Sequence, residues 1–137
     1  MAKVVLDTNI LISALGWKSG VPRIVFEECL QDHHTLLESS ALLSELGDVL
    51  RRPKFSFLSD EEKLEFLGLL YGVSEIVGPK RTIHAIKADP MDNLVLECAV
   101  EGKADIIISG DSHLLKVGQF EGIKIMNAST FLKSLRK

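Results

Sequence analysis

Val4-Val5-Leu6, followed at once by Asp7-Thr8-Asn9, decides the fold. A short apolar run rich in β-branched residues reads as a buried strand, and an acid just after it sits at the strand's carboxyl end. The arrangement recurs late in the chain, where Ile106-Ile107-Ile108 precedes Ser109-Gly110-Asp111. In an open parallel sheet the carboxyl ends of the strands form the ligand crevice, so the two acids are expected to meet there.

Outward from these runs, strand and helix signals alternate. Strands are expected over residues 4–6, 35–37, 74–77 (weak), 106–108 and 123–126. Helices are expected over 10–15, 21–31, 40–51, 60–71, 92–101, 112–116 and 129–135. Pro22 is tolerated in a first turn, and Pro53 stops the helix before it. Ser59 with Glu62 three residues on makes a capping-box pattern for the 60–71 helix. The last helix carries Lys133, Arg136 and Lys137 near its carboxyl end, where cations meet the helix dipole favourably. Strands alternating with helices predict an α/β fold: a parallel sheet of about four or five strands with helices on both faces. No strand signal separates the 40–51 and 60–71 helices, so they are expected to form a helical hairpin at one side.

The chain has 137 residues, 46% of them apolar, and a net charge of −3. That suits a single domain over residues 1–137 with a sizeable core. It does not suit a strongly basic nucleic-acid binder; a grip on phosphates would need local basic patches or bound cations. No basic leader and no run near the roughly 20 apolar residues of a membrane span are present, so a cytoplasmic protein is expected. Cys29 and Cys98 fall in amphipathic helical patterns and are expected to be buried and reduced. No Cys/His spacing resembles a zinc site.

Four acids stand out, each with two readings. Asp7 and Asp111 suit helix N-caps and equally suit a crevice site. Glu45 lies among Leu42, Leu43, Leu46, Val49 and Leu50. At about 100° per residue it falls on the flank of that apolar stripe, placed to look into a cleft or to be an ordinary boundary glutamate. In Asp89-Pro90-Met91-Asp92, Asp89 suits the N-cap and Pro90 the first helical position. Asp92 then falls at the third, where capping and metal ligation are compatible. Two carboxylates about 4 Å apart repel by roughly 4 kcal/mol at an effective dielectric near 20. A fold that converges four of them protonates some or holds a divalent cation. An all-oxygen site selects Mg²⁺ or Mn²⁺ over zinc, and such an ion supports in-line displacement at a phosphodiester. Asn9 and Ser109, each two residues from a strand-end acid, would orient the ligands from behind or serve only as turn residues.

At these residues the chain resembles a PIN-domain nuclease. The matching stretches are V-V-L-D-T-N-I-L-I-S-A from residue 4, L-L-S-E-L-G-D-V-L-R-R-P-K-F from 42, D-P-M-D-N-L-V-L-E-C-A from 89 and A-D-I-I-I-S-G-D-S-H-L-L from 104. They occur in family order and span almost the whole chain. The subgroup it most resembles is the VapC-like toxin components of bacterial and archaeal toxin–antitoxin systems. The resemblance implies a three-layer α/β/α PIN fold and a Mg²⁺- or Mn²⁺-dependent endoribonuclease. It puts the family's four acids on Asp7, Glu45, Asp92 and Asp111, and its small polar residues on Asn9 and Ser109. It further implies a homodimer and a cognate antitoxin protein that blocks the cleft. The chain departs from many such toxins after the third acid, with N-L-V-L-E-C-A in place of an alanine-rich helix, so their substrate rules do not carry over.

Arg51, Arg52 and Lys54 form the densest basic cluster, and Lys80, Arg81 and Lys87 a second. Either would hold RNA phosphates beside the cleft or merely solvate a surface. Trp17 and Phe55 would stack on bases or belong to the core or a dimer contact. His113 needs no catalytic role. Competing readings are a structure-specific DNA nuclease, an RNA-maturation nuclease, an aspartate-nucleophile phosphatase, a receiver-like signalling module and an inactive PIN scaffold that binds RNA or a partner. The phosphatase wants an acid where Asn9 stands, and the receiver wants paired acids where Asp7 stands alone.

Overall fold

The computed structural model describes residues 2–135. Strand β1 (Ala2–Leu6) runs into helix α1 (Thr8–Gly16), whose N-cap is Asp7. Helix α2 (Val21–Cys29) carries its proline in the first turn. Strand β2 (His34–Ser39) leads directly into α3 (Ser40–Leu50), capped by the Ser39 hydroxyl, which accepts from Leu42 N at 3.2 Å. A short 3-10 turn at Pro53–Phe55 precedes α4 (Asp60–Val73), where Ser59 and Glu62 form the reciprocal capping box. Then follow β3 (Glu75–Val77), α5 (Asp92–Glu101), β4 (Ile106–Ile108) and α6 (Ser112–Val117). A hairpin of β5 (Gln119–Phe120) and β6 (Ile123–Met126) and a final helix α7 (Ala128–Ser134) complete the order.

The strands form one sheet in the order β3-β2-β1-β4-β6-β5. All neighbours are parallel except β5 against β6. The sheet has six strands, more than expected, because Gln119–Phe120 is too short to read as a strand. Its turn is Glu121-Gly122, both at positive φ (48° and 85°), the two-residue geometry that favours glycine. Successive residues of β1 serve opposite layers. Val4 and Leu6 pack with α1, α2, α3, α4 and α7, while Val5 packs with Ile107, α5 and α6. Fully burying each such side chain stabilises by about 1.5–3 kcal/mol. The result is the three-layer α/β/α sandwich. Leu46 and Leu50 of α3 share a buried cluster with Phe66 and Leu70 of α4, so the paired helices lie on one face of the sheet.

Some boundaries differ from expectation. Helix α2 stops at Cys29, and Leu30 and Gln31 close it with i→i−3 bonds to Glu27 and Glu28. Before α5, the backbone N–H groups of Asp92, Asn93 and Leu94 bond to the carbonyls three residues back. Asp89 therefore caps a tight turn (Met91 N to Asp89 Oδ1, 3.1 Å), and Asp92 opens the helix rather than standing third in it. The segment from 78 to 88 has no regular structure, yet α5 pins it. Glu101, Glu97 and Asn93, spaced four residues apart, accept the N–H groups of Lys80, Ile83 and Ile86. Gly102 ends the helix where a Cβ would meet Leu37 Cδ1 at 2.7 Å, so a larger residue there requires the Leu37 side chain to shift. Cys29 and Cys98 are free, buried thiols, and burial pushes both up to about 12. Lys133 does lie in the last turn of α7; Arg136 and Lys137 fall outside the described residues. Among the described residues no helix is long and apolar enough to cross a membrane.

Candidate metal centre

Strands β1, β2 and β3 extend the sheet to one side, and β4, β6 and β5 to the other. The order reverses between β1 and β4, the place where open α/β sheets bind ligands. A cleft of about 530 Å³ opens there, and Asp7, Glu45, Asp92 and Asp111 all line it.

Asp7 is held from several directions. Its backbone N–H bonds to Ile108 O at 3.1 Å, fixing it to the end of β4. Its Oδ1 accepts from Ile10 N at 3.0 Å, and its Oδ2 accepts from the Ser109 hydroxyl. Burial raises its carboxyl above the usual range against the lowering by these bonds, and Asp111 adds to the rise. Glu45 reaches in from α3, and its Oε1 accepts from Thr8 Oγ1. Its Oε2 is buried with no hydrogen-bond partner. Asp92 enters from the first turn of α5, and its Oδ2 is likewise buried and partnerless. Burial, then the charges of Asp111, Asp89 and Asp7, push its carboxyl up to about 7. Asp111 caps α6 through Oδ1, which accepts from His113 N at 2.8 Å and Leu114 N at 3.2 Å. Asp111, Asp92 and His113 each offer a ligand atom within 4.8 Å of the others. For Asp7 and Asp111 the capping and crevice readings hold together, because one oxygen caps while the side chain still faces the cleft.

Asn9 lines the cleft, whereas Ser109 lies fully buried beneath it. Arg52 and Lys54 line it too, but Arg51 does not; its Nη1 points to Asp48 Oδ1 at 3.3 Å in solvent. Neither Lys80, Arg81 nor Lys87 lines the cleft, and Arg81 makes a bidentate pair with Glu121 at 2.8 and 2.9 Å. Phe55 is a buried wall of the cleft with Lys54 Nζ 5.1 Å from its ring centre. Trp17 packs on Phe57 instead. Asp89, read from the sequence only as a cap, also lines the cleft, as do Thr8 and Asp48, which escaped the sequence reading. Asp48 was available to it, standing one helical turn beyond Glu45.

The donors present fit a hard divalent ion. The four acids offer carboxylate oxygens, two of them buried with nothing to bond, with the His113 imidazole beside Asp92 and Asp111, and among the described residues no lysine or arginine pairs with any of the four acids. Buried polar atoms without partners are expensive and so call for an explanation, and Mg²⁺ or Mn²⁺ supplies one.

The fold and this acid-lined switch point define an acidic cleft of PIN type. The chain belongs to the PIN-domain family, whose profile matches residues 3–113 and so takes in all four acids. It is 33% identical over 117 residues to the uncharacterized protein MJ1680 of Methanocaldococcus jannaschii, covering 84% of this chain and 74% of that one. Among solved structures, it is similar to PAE2754 from Pyrobaculum aerophilum (TM-score 0.65, 12% identity, 98% of this chain and 89% of that one). It is also similar to VapBC-1 from nontypeable Haemophilus influenzae (TM-score 0.62, 17% identity, 93% and 98%). A third is VapBC2 from Rickettsia felis bound to a DNA fragment from their promoter (TM-score 0.61, 17% identity, 91% and 98%). At these identities the likeness is one of fold.

Proposed function

We propose that this chain is a metal-dependent endoribonuclease and the toxin of a toxin–antitoxin pair. The observation that carries the reading is the convergence of Asp7, Glu45, Asp92 and Asp111 on one cleft, with Glu45 Oε2 and Asp92 Oδ2 buried and unbonded. These four acids would hold Mg²⁺ or Mn²⁺. When bound, such an ion lowers the pKa of water and offsets charge developing on a phosphodiester.

The chain's own residues do the rest. Ser109 and Ile10 fix the Asp7 carboxylate, and Thr8 turns Glu45 toward it. Arg52 and Lys54 stand on the same cleft and hold the phosphates on either side of the scissile one. Asn9 offers an amide at the mouth for substrate or water. RNA is favoured over duplex DNA because, among the described residues, no helix inserted beyond the α/β elements of the sandwich stands beside the cleft to clasp a duplex. An antitoxin partner is supported by the shared fold with the VapBC proteins. A homodimer is supported by the apolar Leu64, Leu69 and Tyr71 that α4 leaves exposed. Such work belongs in the cytoplasm.

The test is incubation of the purified protein with unstructured and structured RNA and with DNA, with Mn²⁺ or EDTA. Cleavage of single-stranded RNA that needs the metal is expected. Asp7→Asn should lower it by about a hundredfold or more while keeping the fold, because asparagine still caps α1. Undiminished cleavage by that variant would sink the assignment.

A further inference from the structure

Glu28 lies in the last turn of α2, His33 in the connecting turn, and His34 at the start of β2. Glu28 Oε2 stands 3.0 Å from His33 Nε2 and 2.9 Å from His34 Nε2. The two imidazole rings lie 4.2 Å apart. This cluster sits at the amino end of β2, and the acidic cleft sits at the carboxyl ends of the strands.

The arrangement is built in, not a chance meeting of surface side chains. The His34 side chain is only 4% exposed and packs 6.0 Å from the Phe131 ring of α7. The turn is tied by Gln31 N to Glu28 O at 3.1 Å and by His34 N to Gln31 O at 3.0 Å. Hydrogen bonding leaves part of the cluster unsatisfied, since His34 Nδ1 is buried with no partner. Both rings must carry a proton on Nε2 to bond Glu28, and both then share one of its oxygen atoms. A tetrahedral ion with bonds of about 2.0–2.1 Å holds its donor atoms roughly 3.3 Å apart; the two Glu28–imidazole distances need to open by only a few tenths of an ångström, and the three donor atoms lie within 4.8 Å of one another. His33 is 58% exposed, which leaves a fourth position facing water.

We infer that Glu28, His33 and His34 form a second metal site, with two nitrogens and one oxygen, that takes Zn²⁺ or a similar imidazole-binding divalent ion. Its two imidazoles and one carboxylate set it apart from the cleft, where His113 alone joins the acids: imidazole suits zinc, cobalt, nickel and copper, and carboxylates suit magnesium and manganese. An ion there clamps the end of α2 to the start of β2 beside α7. It stabilises the fold by mass action without touching the acidic cleft. Sequence spacing hides the site, since the three residues straddle a turn and follow no helical or strand period.

Co²⁺ serves as the spectroscopic probe. The protein carrying Asp92→Asn, kept in excess Mg²⁺ so that the cleft does not compete, is titrated with Co²⁺ and then with Zn²⁺. One equivalent of Co²⁺ with the intense visible absorption of tetrahedral coordination is expected, displaced by Zn²⁺, together with a Zn²⁺-dependent rise in Tm. In the same background, His33→Ala and, separately, Glu28→Gln change side chains that are partly exposed, so circular dichroism should stay native. Each should abolish the absorption and weaken Zn²⁺ binding by roughly a hundredfold, since even an outer-shell partner is worth 10–100-fold. The inference is overturned by a Co²⁺ spectrum that stays octahedral, by Zn²⁺ binding that is weak and unsaturable, or by undiminished binding in both variants.

Discussion

The Ser109 hydroxyl donates to Oδ2 of Asp7 and so joins the carboxyl ends of two strands whose residues are 102 apart in sequence. The same Ser109 oxygen accepts from the backbone N–H of Asp111 at 2.9 Å. One small side chain therefore sets the spacing of two acids on opposite sides of the switch point.

Ser109→Ala tests that role. Asp7 is buried and loses a bond that lowers its pKa, so its carboxyl rises further and becomes a poorer metal ligand. Leaving a buried acceptor unsatisfied costs about 1–3 kcal/mol. Chemical denaturation should show that loss, and calorimetric titration should show weaker Mn²⁺ binding. A variant with native stability and unchanged Mn²⁺ affinity would mean that Ser109 only fills space.

Metal itself should stabilise the protein. Asp92 is pushed up to about 7 by burial and by neighbouring acids, so the metal-free cleft stores repulsion that a divalent ion removes. At a concentration about a hundred times Kd, binding adds roughly 2.7 kcal/mol, which for a domain of this size raises Tm by on the order of 10 °C. Thermal unfolding with Mn²⁺, and again after EDTA, measures it. A Tm indifferent to millimolar Mn²⁺ speaks against any shared ion.

Adjacent arginines should behave differently. Arg52 lines the cleft, whereas Arg51 does not and pairs with Asp48 in solvent. Arg52→Ala should raise KM for RNA several-fold and flatten its dependence on salt by about one counterion. Arg51→Ala should change neither, because an exposed i,i+3 ion pair contributes about 0–1 kcal/mol. Equal effects from the two would place the RNA path along the outside of α3.

Much of this architecture was legible because its signals are local. The apolar runs at Val4–Leu6 and Ile106–Ile108 needed no partner to be read as strands, and the Ser59–Glu62 box closes within one turn. The end of α5 at Glu101 was likewise readable from its pattern and Gly102. What escaped was set by distant contacts. The 78–88 segment is shaped by side chains of α5. The orientation that separates Arg51 from Arg52 depends on Asp48 and the Pro53 turn. Glu28, His33 and His34 meet only because a turn folds them together. Strand β2 also runs past its apolar pair of leucines, which hid the burial of Glu38.

Glu38 gives the last prediction. It is 2% exposed in β2, and burial alone pushes its carboxyl from 4.5 to about 8. A folded-state pKa above the unfolded one means that the folded protein holds a proton the unfolded chain releases. Stability is then fully present below pH 4.5 and is lost as pH rises toward and through about 8. A tenfold change in proton affinity is worth about 1.4 kcal/mol, so the loss amounts to a few kcal/mol. Asp7 and Asp92 lean the same way, and comparison with a variant separates them. Glu38→Gln keeps the shape and cannot ionise. Its stability, followed by urea unfolding between about pH 5 and pH 9, should fall less steeply than that of the parent, and above pH 8 the variant should be the more stable of the two. Parallel curves would mean that Glu38 carries its charge in the folded state at no cost, which its surroundings in β2 make physically hard to arrange.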